Sequence, residues 1–464
     1  GPAPLRTFGA MRAPFRHPRP FVALALAAGL LAGCTGRTAP EPDRALAVRE
    51  AFLHAWRGYE QYAWGYDQLL PLSRRGHNWY PASLLMTPVD AFDTMLLMGL
   101  TDEAARAKAL VLDSLSFDRD FPVQVFEVTI RLLGGLVTAY QMDGDPRFLA
   151  LARDVADRML PAFRSRTGMP YRFVNLRTGA VSGPVSNPAE IGTLMLEFGT
   201  LSKLTGDPRY YDAAKRAVVA LFGRRSPIGL VGSTINVETG AWEDRTSHIT
   251  GGIDSYYEYL LKSWLLFGDT TFQRMWDASI AAANRFLPDE RLTGYWYGHV
   301  NMYSGERMAT RFGALDAFMP AVLARAGDLP RARRLMDSVF RMWTTFGIEP
   351  EELDYVSMQP VHAGYVLRPE AIESAYYLYR LTGDRRYRDM GRVMVDSLLW
   401  YTRAETGFSA LQSVVTKVPR DQMESFFLAE TLKYAYLLFA PPQTLDFNAV
   451  VFTTEAHPIR RTWR

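Results

Sequence analysis

The chain of 464 residues contains a single cysteine, Cys34, which excludes an internal disulfide and a cysteine-based zinc site. Its seven histidines form no H-E-x-x-H pattern, so a zinc-protease motif is also missing. Charge of one sign is not in excess. Without the first 33 residues, which hold four arginines and no acid, 48 basic and 49 acidic residues remain, and we do not expect nucleic acid as a partner. Because 48% of the residues are hydrophobic, the composition is that of a folded protein stabilised by packing.

The N-terminal segment has the pattern of an export signal. From Met11 the sequence reads MRAPFRHPRP, followed by an apolar run at 21–31 that is too short to span a membrane. The run ends in LAGC at 31–34, which resembles the bacterial lipobox, so we expect residues 1–33 to be a leader and Cys34 to be a lipidated N-terminus. The alternative is a signal peptide with a coincidental cysteine. Residues 1–10 are interpreted as an expression remnant or an incorrectly assigned start.

The position after the cysteine is Thr35 rather than the aspartate that commonly retains lipoproteins at the inner membrane. We therefore expect an exported lipoprotein on the periplasmic face of the outer membrane or at the cell surface, attached to the membrane through Cys34. Residues 34–44 are predicted to be the lipidated cysteine and a polar tether, and residues 45–464 a single catalytic domain. We expect a monomer.

Five Gly-Asp pairs divide most of the remaining chain into units of about 60 residues. They occur at 144–145, 206–207, 268–269, 327–328 and 383–384, and each separates two stretches with helical periodicity. Glycine can end one helix in a left-handed conformation, and aspartate can cap the next. The repeat therefore predicts helical hairpins, preceded by a weaker copy at 98–115 and followed by one more helix at 426–439.

Six or seven repeated hairpins form either an open solenoid or a closed toroid. The helices before each Gly-Asp pair are apolar nearly all round, which indicates a buried inner ring, whereas those after it have a charged face. Long segments rich in Gly, Pro, Asn and Ser connect the units, as is typical of loops that cover one end of a barrel. We favour closure, which gives an all-α toroid.

Acidic residues lie near the starts of the predicted inner helices. If the helices form a toroid, these starts meet at one end, and burial of unpaired carboxylates there requires a metal, paired cations or a polyhydroxyl ligand. Two opposed carboxylates in such a cavity can hydrolyse a glycosidic bond. The alternative for any single acid is that it interacts with the helix dipole and water. The acids in this pattern are Asp90, Asp93, Glu127, Glu190, Asp254, Asp316, Glu370, Glu424 and Glu430.

Several long strings carry a resemblance to a known family over about 49–457. They are WYPASLLMTPVDAFDTMLLMGL, VFEVTIRLLGGLVTAY, AEIGTLMLEFGTLSKLTGD, DSYYEYLLKSWLLFGD, LRPEAIESAYYLYRLTGD, MESFFLAETLKYAYLLF and VFTTEAHP. The sequence resembles the class I α-mannosidases of glycoside hydrolase family 47. The resemblance implies an (α/α)7 barrel and a Ca²⁺-dependent, inverting exo-α-1,2-mannosidase that acts on mannan or high-mannose glycans.

The resemblance also implies roles for individual residues. Glu127 matches the general acid, which can act through a water; Asp254 matches the second catalytic carboxylate, a competing candidate for the acid; and Glu370 matches the base. Thr454 matches the calcium ligand, whose coordination is completed by water and sugar hydroxyls. The acids that match those holding these waters are Glu373, Glu430 and Glu455. The positions that match sugar-contacting or supporting residues are Arg131, Glu190, Arg368, Phe426 and Glu430.

Two positions depart from the processing enzymes of that family. Gly252 replaces an arginine that reaches the outer sugars, and Ala314 replaces a histidine, so their branch preference is not transferred to this chain. Three alternative functions remain: a non-catalytic mannose-binding protein, a toroid glycosidase of another linkage specificity, and a purely structural envelope repeat protein.

Overall fold

A computed structural model describes residues 41–463 of the protein. The predicted leader, Cys34 and most of the predicted tether lie outside this range. The first helix begins at Pro42, so the tether predicted for 34–44 extends too far by three residues. Within the described part of the chain, no helix is both long enough and apolar enough to cross a bilayer.

Helices dominate the architecture and are numbered here in chain order. Their bounds are α1 Pro42–Tyr62, α2 Met86–Asp90, α3 Phe92–Leu97, α4 Thr101–Ser114, α5 Val125–Glu127, α6 Gly134–Asp143, α7 Pro146–Met159, α8 Pro188–Gly192, α9 Met195–Thr205, α10 Pro208–Phe222, α11 Asp254–Phe267, α12 Thr270–Phe286, α13 Met319–Arg325, α14 Leu329–Phe346, α15 Glu370–Thr382, α16 Arg385–Thr402 and α17 Leu432–Phe439. Two π-helical segments, Val128–Leu133 and Phe427–Thr431, and three 3-10 segments, Leu160–Phe163, Leu315–Phe318 and Pro442–Thr444, complete the set.

The Gly-Asp pairs end one helix and begin the next, as predicted. At the α11–α12 junction, Gly268 adopts a left-handed φ of 69° and the Asp269 carboxylate accepts a hydrogen bond from Thr271 N at 2.9 Å. The same cap joins the other four hairpins, in which the aspartates Asp145, Asp207, Asp328 and Asp384 each accept a hydrogen bond from a backbone N–H of the following helix.

The two ends of the described chain close the ring. Helix α1 packs along α17, and Glu41 N donates to Phe439 O at 3.1 Å. The first helix of the domain is therefore the outer partner of the last inner helix, for which the repeat pattern had identified no partner. Within residues 41–463 this contact completes seven inner–outer pairs, so the fold is a closed (α/α)7 barrel, as predicted, and not an open solenoid.

The inner helices are buried on all sides. Every residue from Ser255 to Ser263 of α11 is buried, including the charged pair Glu258 and Lys262. The outer helix α12, by contrast, alternates buried and exposed residues with helical periodicity. An inner helix therefore contacts its partner and both neighbours on one side and the barrel interior on the other, which explains why its sequence lacks a polar face.

Short antiparallel strands, which the sequence analysis did not predict, build the connections between pairs. Their runs of two to four residues are too brief for a clear alternation of polar and apolar side chains. Strands β3, β6, β9 and β14 each lead into an inner helix, so their sheets surround the end of the barrel at which those helices begin. The strands are β1 Gln68–Leu70, β2 Arg75–His77, β3 Pro122–Gln124, β4 Phe173–Asn175, β5 Val181–Ser182, β6 Val185–Ser186, β7 Thr234–Asn236, β8 Trp242–Asp244, β9 Thr246–Ser247, β10 Pro288–Arg291, β11 Gly294–Tyr297, β12 His299–Asn301, β13 Arg307–Ala309, β14 Arg311–Gly313, β15 Glu352–Asp354, β16 Gln359–His362, β17 Arg403–Ala404, β18 Gly407–Phe408, β19 Ala410–Leu411, β20 Pro419–Arg420, β21 Val450–Phe452 and β22 Pro458–Arg460.

The last hairpin, β21–β22, fills the barrel from the opposite end. Arg460 N donates to Gln141 Oε1 near the end of inner helix α6, at 3.1 Å. At the hairpin tip, Thr454 N donates to the hydroxyl of Tyr259, which lies six residues into α11, at 3.1 Å. The tip residues 453–457 therefore point toward the starts of the inner helices and form the floor of the space between them.

Candidate active site

A cavity of about 240 Å³ opens at the end of the barrel where the inner helices begin. It brings together residues from seven segments that are separate in sequence. Of the predicted site residues, it is lined by Glu127, Arg131, Glu190, Asp254, Arg368, Glu370, Phe426, Glu430, Thr454 and Glu455. Glu373 lies one turn after Glu370 and lines a second, smaller cavity of about 30 Å³ beneath, which also contacts Thr454.

Not all the acids at inner-helix starts face the cavity. Asp90 and Asp93 bind the C-terminal hairpin instead, and Asp316 is fully buried, with Oδ2 accepting a hydrogen bond from Gly313 N at 2.9 Å. Glu424 does not line either cavity. The pattern of acids in the sequence thus includes both cavity residues and residues that stabilise the fold around it.

Arg131 organises one wall of the cavity. Its Nε donates to Glu127 Oε2 at 2.8 Å, and its Nη1 donates to Glu455 Oε1 at 2.6 Å. The guanidinium also lies over the ring of Phe426, with its carbon 5.5 Å from the ring centroid. Arg131 belongs to the π-helical segment Val128–Leu133, and Glu430 lies in the other π-helical segment. Such segments are frequent at functional sites because the extra residue redirects side chains.

Arg368 and Glu370 line another part of the cavity wall. Arg368 donates to Glu351 Oε2 from Nε at 3.1 Å and from Nη2 at 2.9 Å, and it also lies 5.5 Å from the Phe426 ring centroid. Glu370 is the first residue of α15, and its Oε2 is buried without a hydrogen-bond partner among residues 41–463. Burial raises the pKa of Glu370 to about 8, against the opposing effect of Arg368.

One cationic neighbour and one polar neighbour hold the carboxylate of Glu190 in place. Arg172 holds it in a bidentate pair, with both N···O distances 2.8 Å, and Gln124 Nε2 donates to it at 3.0 Å. A carboxylate fixed by a bidentate arginine keeps lone pairs for the hydroxyl groups of a ligand.

Asp254 begins helix α11, and its Oδ1 accepts a hydrogen bond from Ser255 N at 2.8 Å. Burial raises the pKa of Asp254 to about 7, and repulsion by Glu258 adds to the effect. This carboxyl can therefore hold or release a proton near neutral pH, which is a requirement for an acid–base catalyst.

The smaller cavity is suited to a divalent cation. Five carboxyl groups surround it, and Lys262 neutralises one of them, Glu258, at 2.5 Å. Burial raises the pKa of Glu373 to about 8 and that of Glu430 well above its usual range. Thr454 Oγ1 has no hydrogen-bond partner among the described residues. Ca²⁺ prefers oxygen ligands, which these residues supply, so the residues fit this ion, although residues 41–463 contain no compact cluster of metal-ligating side chains.

A buried charge network fixes the floor of the site. His457 lies between two carboxylates, with Nδ1 2.7 Å from Asp93 Oδ2 and Nε2 3.1 Å from Asp90 Oδ1. Burial opposes protonation, but the two aspartates together raise the pKa of His457. Lys433 Nζ contacts Asp93 Oδ1 at 2.8 Å and donates to Ala456 O at 2.6 Å. Both ring nitrogens of His457 thus face carboxylates, and the residue has a structural role in holding the hairpin tip.

Several residues of the site escaped the sequence analysis. Glu351 and Arg172 position Arg368 and Glu190, and Tyr259 holds the hairpin tip. Each contact joins parts of the chain that no local pattern connects. The one available signal was chemical: Glu190 was among the acids expected to converge in a buried cavity, and a buried charge requires a partner of opposite sign.

A closed helical barrel with several carboxyl groups and with aromatic and cationic side chains in one end cavity has the features of a glycoside hydrolase of the toroid class. The comparisons with known proteins agree. The profile of glycosyl hydrolase family 47 matches residues 51–461, and the chain belongs to this family.

Known relatives cover nearly all of the domain. Alpha-mannosidase I MNS5 of Arabidopsis thaliana is 37% identical over 446 residues, which cover 89% of this chain and 76% of that protein. The human endoplasmic reticulum mannosyl-oligosaccharide 1,2-alpha-mannosidase is 37% identical over 454 residues, which cover 90% of this chain and 64% of that protein. The solved structure of an alpha-1,2-mannosidase from Trichoderma reesei superposes with a TM-score of 0.84 at 29% identity and covers 91% of this chain and 99% of that one.

Proposed function

We propose that this protein is a Ca²⁺-dependent, inverting exo-α-1,2-mannosidase that removes terminal α-1,2-linked mannose from mannan or high-mannose glycans. The single observation that supports the proposal most is the meeting of Glu127, Asp254 and Glu370, from three different inner helices, in one cavity. Relatives named as α-1,2-mannosidases cover about nine-tenths of the chain, which supports the linkage.

Hydrolysis with inversion needs two carboxyl groups on opposite sides of the sugar. One protonates the glycosidic oxygen, while the other takes a proton from the water that attacks the anomeric carbon from the opposite face. In this proposal Glu370 is the base, and Glu127 delivers the proton through a water or Asp254 delivers it directly. Phe426, which lies near the guanidinium groups of Arg131 and Arg368, offers an apolar surface to the sugar ring.

The proposed ion would be held by Thr454, through its carbonyl and hydroxyl oxygens, and by waters on Glu373, Glu430 and Glu455. When bound, Ca²⁺ supplies positive charge beside the acid cluster and open coordination positions for sugar hydroxyls. A nearby cation lowers the pKa of a carboxyl group, so the carboxylate form of Glu370, which the base must have, is favoured at neutral pH.

Release of mannose from α-1,2-mannobiose, followed by proton NMR, tests the activity and its stereochemistry. We expect β-mannose as the first product and a fall in kcat of about 100-fold or more for Glu370→Gln, since a general base contributes about 10²–10⁴-fold. Glu290→Gln, on the outer surface, is the control and keeps full activity. Full turnover by Glu370→Gln would refute the base assignment.

Metal dependence is tested by chelation. Dialysis against EDTA should abolish turnover, and Ca²⁺ should restore it; undiminished activity in EDTA would remove the metal from the proposal. Disaccharides with α-1,2, α-1,3 and α-1,6 linkages, assayed side by side, test the linkage. Mannose binding without release of product would instead support the alternative of a non-catalytic mannose-binding protein.

We further propose that the enzyme is an exported bacterial lipoprotein at the outer membrane or the cell surface, attached through Cys34. The support is the lipobox-like LAGC at 31–34. Partition of the full-length protein into detergent, compared with Cys34→Ser, tests it, since loss of the thiol should leave the variant in the aqueous phase. We also propose a monomer, because the cavity is built from one chain; sedimentation gives its mass in solution.

A further inference from the structure

The hydroxyl of Tyr259 links a fully buried carboxyl group to the tip of the C-terminal hairpin. Thr454 N donates to it at 3.1 Å, and it lies 2.5 Å from Glu197 Oε1. A backbone N–H can only donate, so the Tyr259 oxygen accepts there and directs its own hydrogen to Glu197. Neither residue lines either cavity.

This arrangement has no substitute nearby. Tyr259 is 1% exposed and Glu197 0%, and Glu197 Oε2 has no other hydrogen-bond partner among the described residues. Water therefore cannot replace the tyrosine without a new opening in the core. Glu197 fixes the direction of the hydroxyl, and the hydroxyl fixes Thr454.

The rest of the hairpin tip is held from a different side. Lys433 donates to Ala456 O, and His457 lies between Asp90 and Asp93. Ala456 has a left-handed φ of 60°, so the chain turns sharply just after Thr454. Within residues 41–463, the bond to Tyr259 is the one hydrogen bond found for Thr454. The orientation of Thr454 thus depends on a contact separate from those that hold its neighbours.

We propose that Tyr259, directed by Glu197, is a positioning residue that sets the orientation of Thr454 and thereby the affinity of the site for Ca²⁺. The inference rests on the proposed function, because Thr454 is there the protein ligand of the ion. Partners that orient a ligand from outside the coordination shell commonly change metal affinity by about 10–100-fold.

Calcium binding to the metal-free full-length protein, measured by isothermal titration calorimetry, tests the inference independently of turnover. Tyr259→Phe keeps the ring and removes the hydroxyl, and we expect its Kd for Ca²⁺ to rise about 10–100-fold. Tyr256→Phe is the matched control: it removes a buried hydroxyl from the same helix, 3.3 Å from Ser279 Oγ, and should change the Kd less than about 2-fold. Glu197→Gln keeps an acceptor for Tyr259 and should behave like the wild type.

A second readout separates positioning from damage to the fold. If Tyr259 acts through Thr454, saturating Ca²⁺ restores wild-type kcat to Tyr259→Phe. Wild-type Ca²⁺ affinity in this variant would overturn the inference, and so would a kcat that stays low at saturation. If Tyr259→Phe does not fold, Glu197→Met, which leaves the hydroxyl without its acceptor, must weaken binding in its place. No Ca²⁺ binding by the wild type would instead refute the metal in the proposed function, and this inference with it.

Discussion

Arg131 Nη1 lies 2.6 Å from Glu455 Oε1, although 324 residues separate the two along the chain. The same guanidinium donates to Glu127 and is 3.6 Å from Asp90 Oδ2. One cation thus joins Glu127, one of the two candidate acids, to the hairpin tip that forms the cavity floor. Because Arg131 and Glu455 are both buried, neither charge can be compensated by water if the other is lost.

Replacement of Arg131 by methionine should therefore damage both stability and catalysis. Breaking a buried ion pair by removing one partner costs about 3–5 kcal/mol, and we expect a loss of this size in the free energy of unfolding, measured with urea. We also expect kcat/KM on α-1,2-mannobiose to fall by at least about 100-fold, because a misplaced catalytic group loses about this factor.

Arg158 provides a matched control. It forms an ion pair with Asp154 at the same four-residue spacing, at 2.9 Å, on an outer helix where both side chains reach solvent. Exposed pairs contribute about 0–1 kcal/mol, so Arg158→Met should change the unfolding free energy by no more than this and leave turnover intact. Equal losses in the two variants would contradict the role given to burial.

The Gly-Asp pairs show which part of the fold was predictable. The cap at Gly268 and Asp269 involves neighbours in sequence, and glycine and aspartate are favoured there for local reasons. The pairing of α1 with α17 could not be predicted from the sequence in the same way, because it joins the two ends of the domain and has no local sequence pattern. Closure of the barrel therefore had to be inferred from the apolar inner helices.

The proton donor can be identified with a substrate that needs no protonation. On α-1,2-mannobiose, loss of a general acid should lower kcat by about 10²–10⁴-fold. On α-mannosyl fluoride, whose leaving group departs as an anion, the loss should largely disappear. Because burial raises the pKa of Asp254 to about 7 while Glu127 is paired with Arg131, we expect this recovery for Asp254→Asn.

Glu127→Gln is the comparison for that experiment. If Glu127 delivers the proton through a water, its variant and not Asp254→Asn recovers on the fluoride. If neither recovers, both carboxyl groups act in steps other than protonation of the leaving group, and the proposed acid–base pair is wrong.

A pair of neighbouring histidines, of which His248 is buried and His299 half-buried, should make the protein less stable in acid. The rings of His248 and His299 are tilted by 34° with centroids 4.7 Å apart, and burial lowers their pKa values to about 3 and about 4. Below about pH 6.5 the unfolded chain binds protons at these two histidines, whereas the folded protein does not. The free energy of unfolding is therefore at its full value above pH 6.5 and decreases as the pH falls.

At pH 5 this loss amounts to about 2 kcal/mol for His248 alone. His248→Gln, which keeps a polar group beside Ser233, should therefore show a smaller fall in unfolding free energy between pH 7 and pH 5 than the wild type. Urea denaturation at both pH values measures this difference. An identical fall in unfolding free energy between pH 7 and pH 5 for the two proteins would show that His248 does not remain neutral in the fold.

As for the fold, only some residues of the site could be predicted from patterns in the sequence. Glu127, Asp254 and Glu370 could be proposed because each lies in a long string that resembles a known family. Glu351, which holds Arg368, could not, since it lies in a short connection between an outer helix and a strand and meets its partner through tertiary folding alone. The contacts that orient the predicted residues join positions far apart in the sequence, whereas the motifs that identify those residues are local.

Gly313 leads to the last prediction, because its backbone packs directly against the residue that holds Arg368. A Cβ atom at this position would clash with the carbonyl oxygen of Glu351, which is backbone and cannot rotate away. Gly313→Ala should therefore displace Glu351, loosen its contact with Arg368 and lower kcat/KM on α-1,2-mannobiose by at least about 10-fold. Overpacking of this kind also costs about 1–3 kcal/mol of stability.

Gly364→Ala is the control, since Gly364 O accepts a hydrogen bond from Glu351 N, yet the nearest atom to an added Cβ lies at 3.4 Å, an ordinary contact. Its activity should stay within about 2-fold of the wild type, and an equal loss in the two variants would show that general disturbance of this loop, and not the position of Glu351, accounts for the effect.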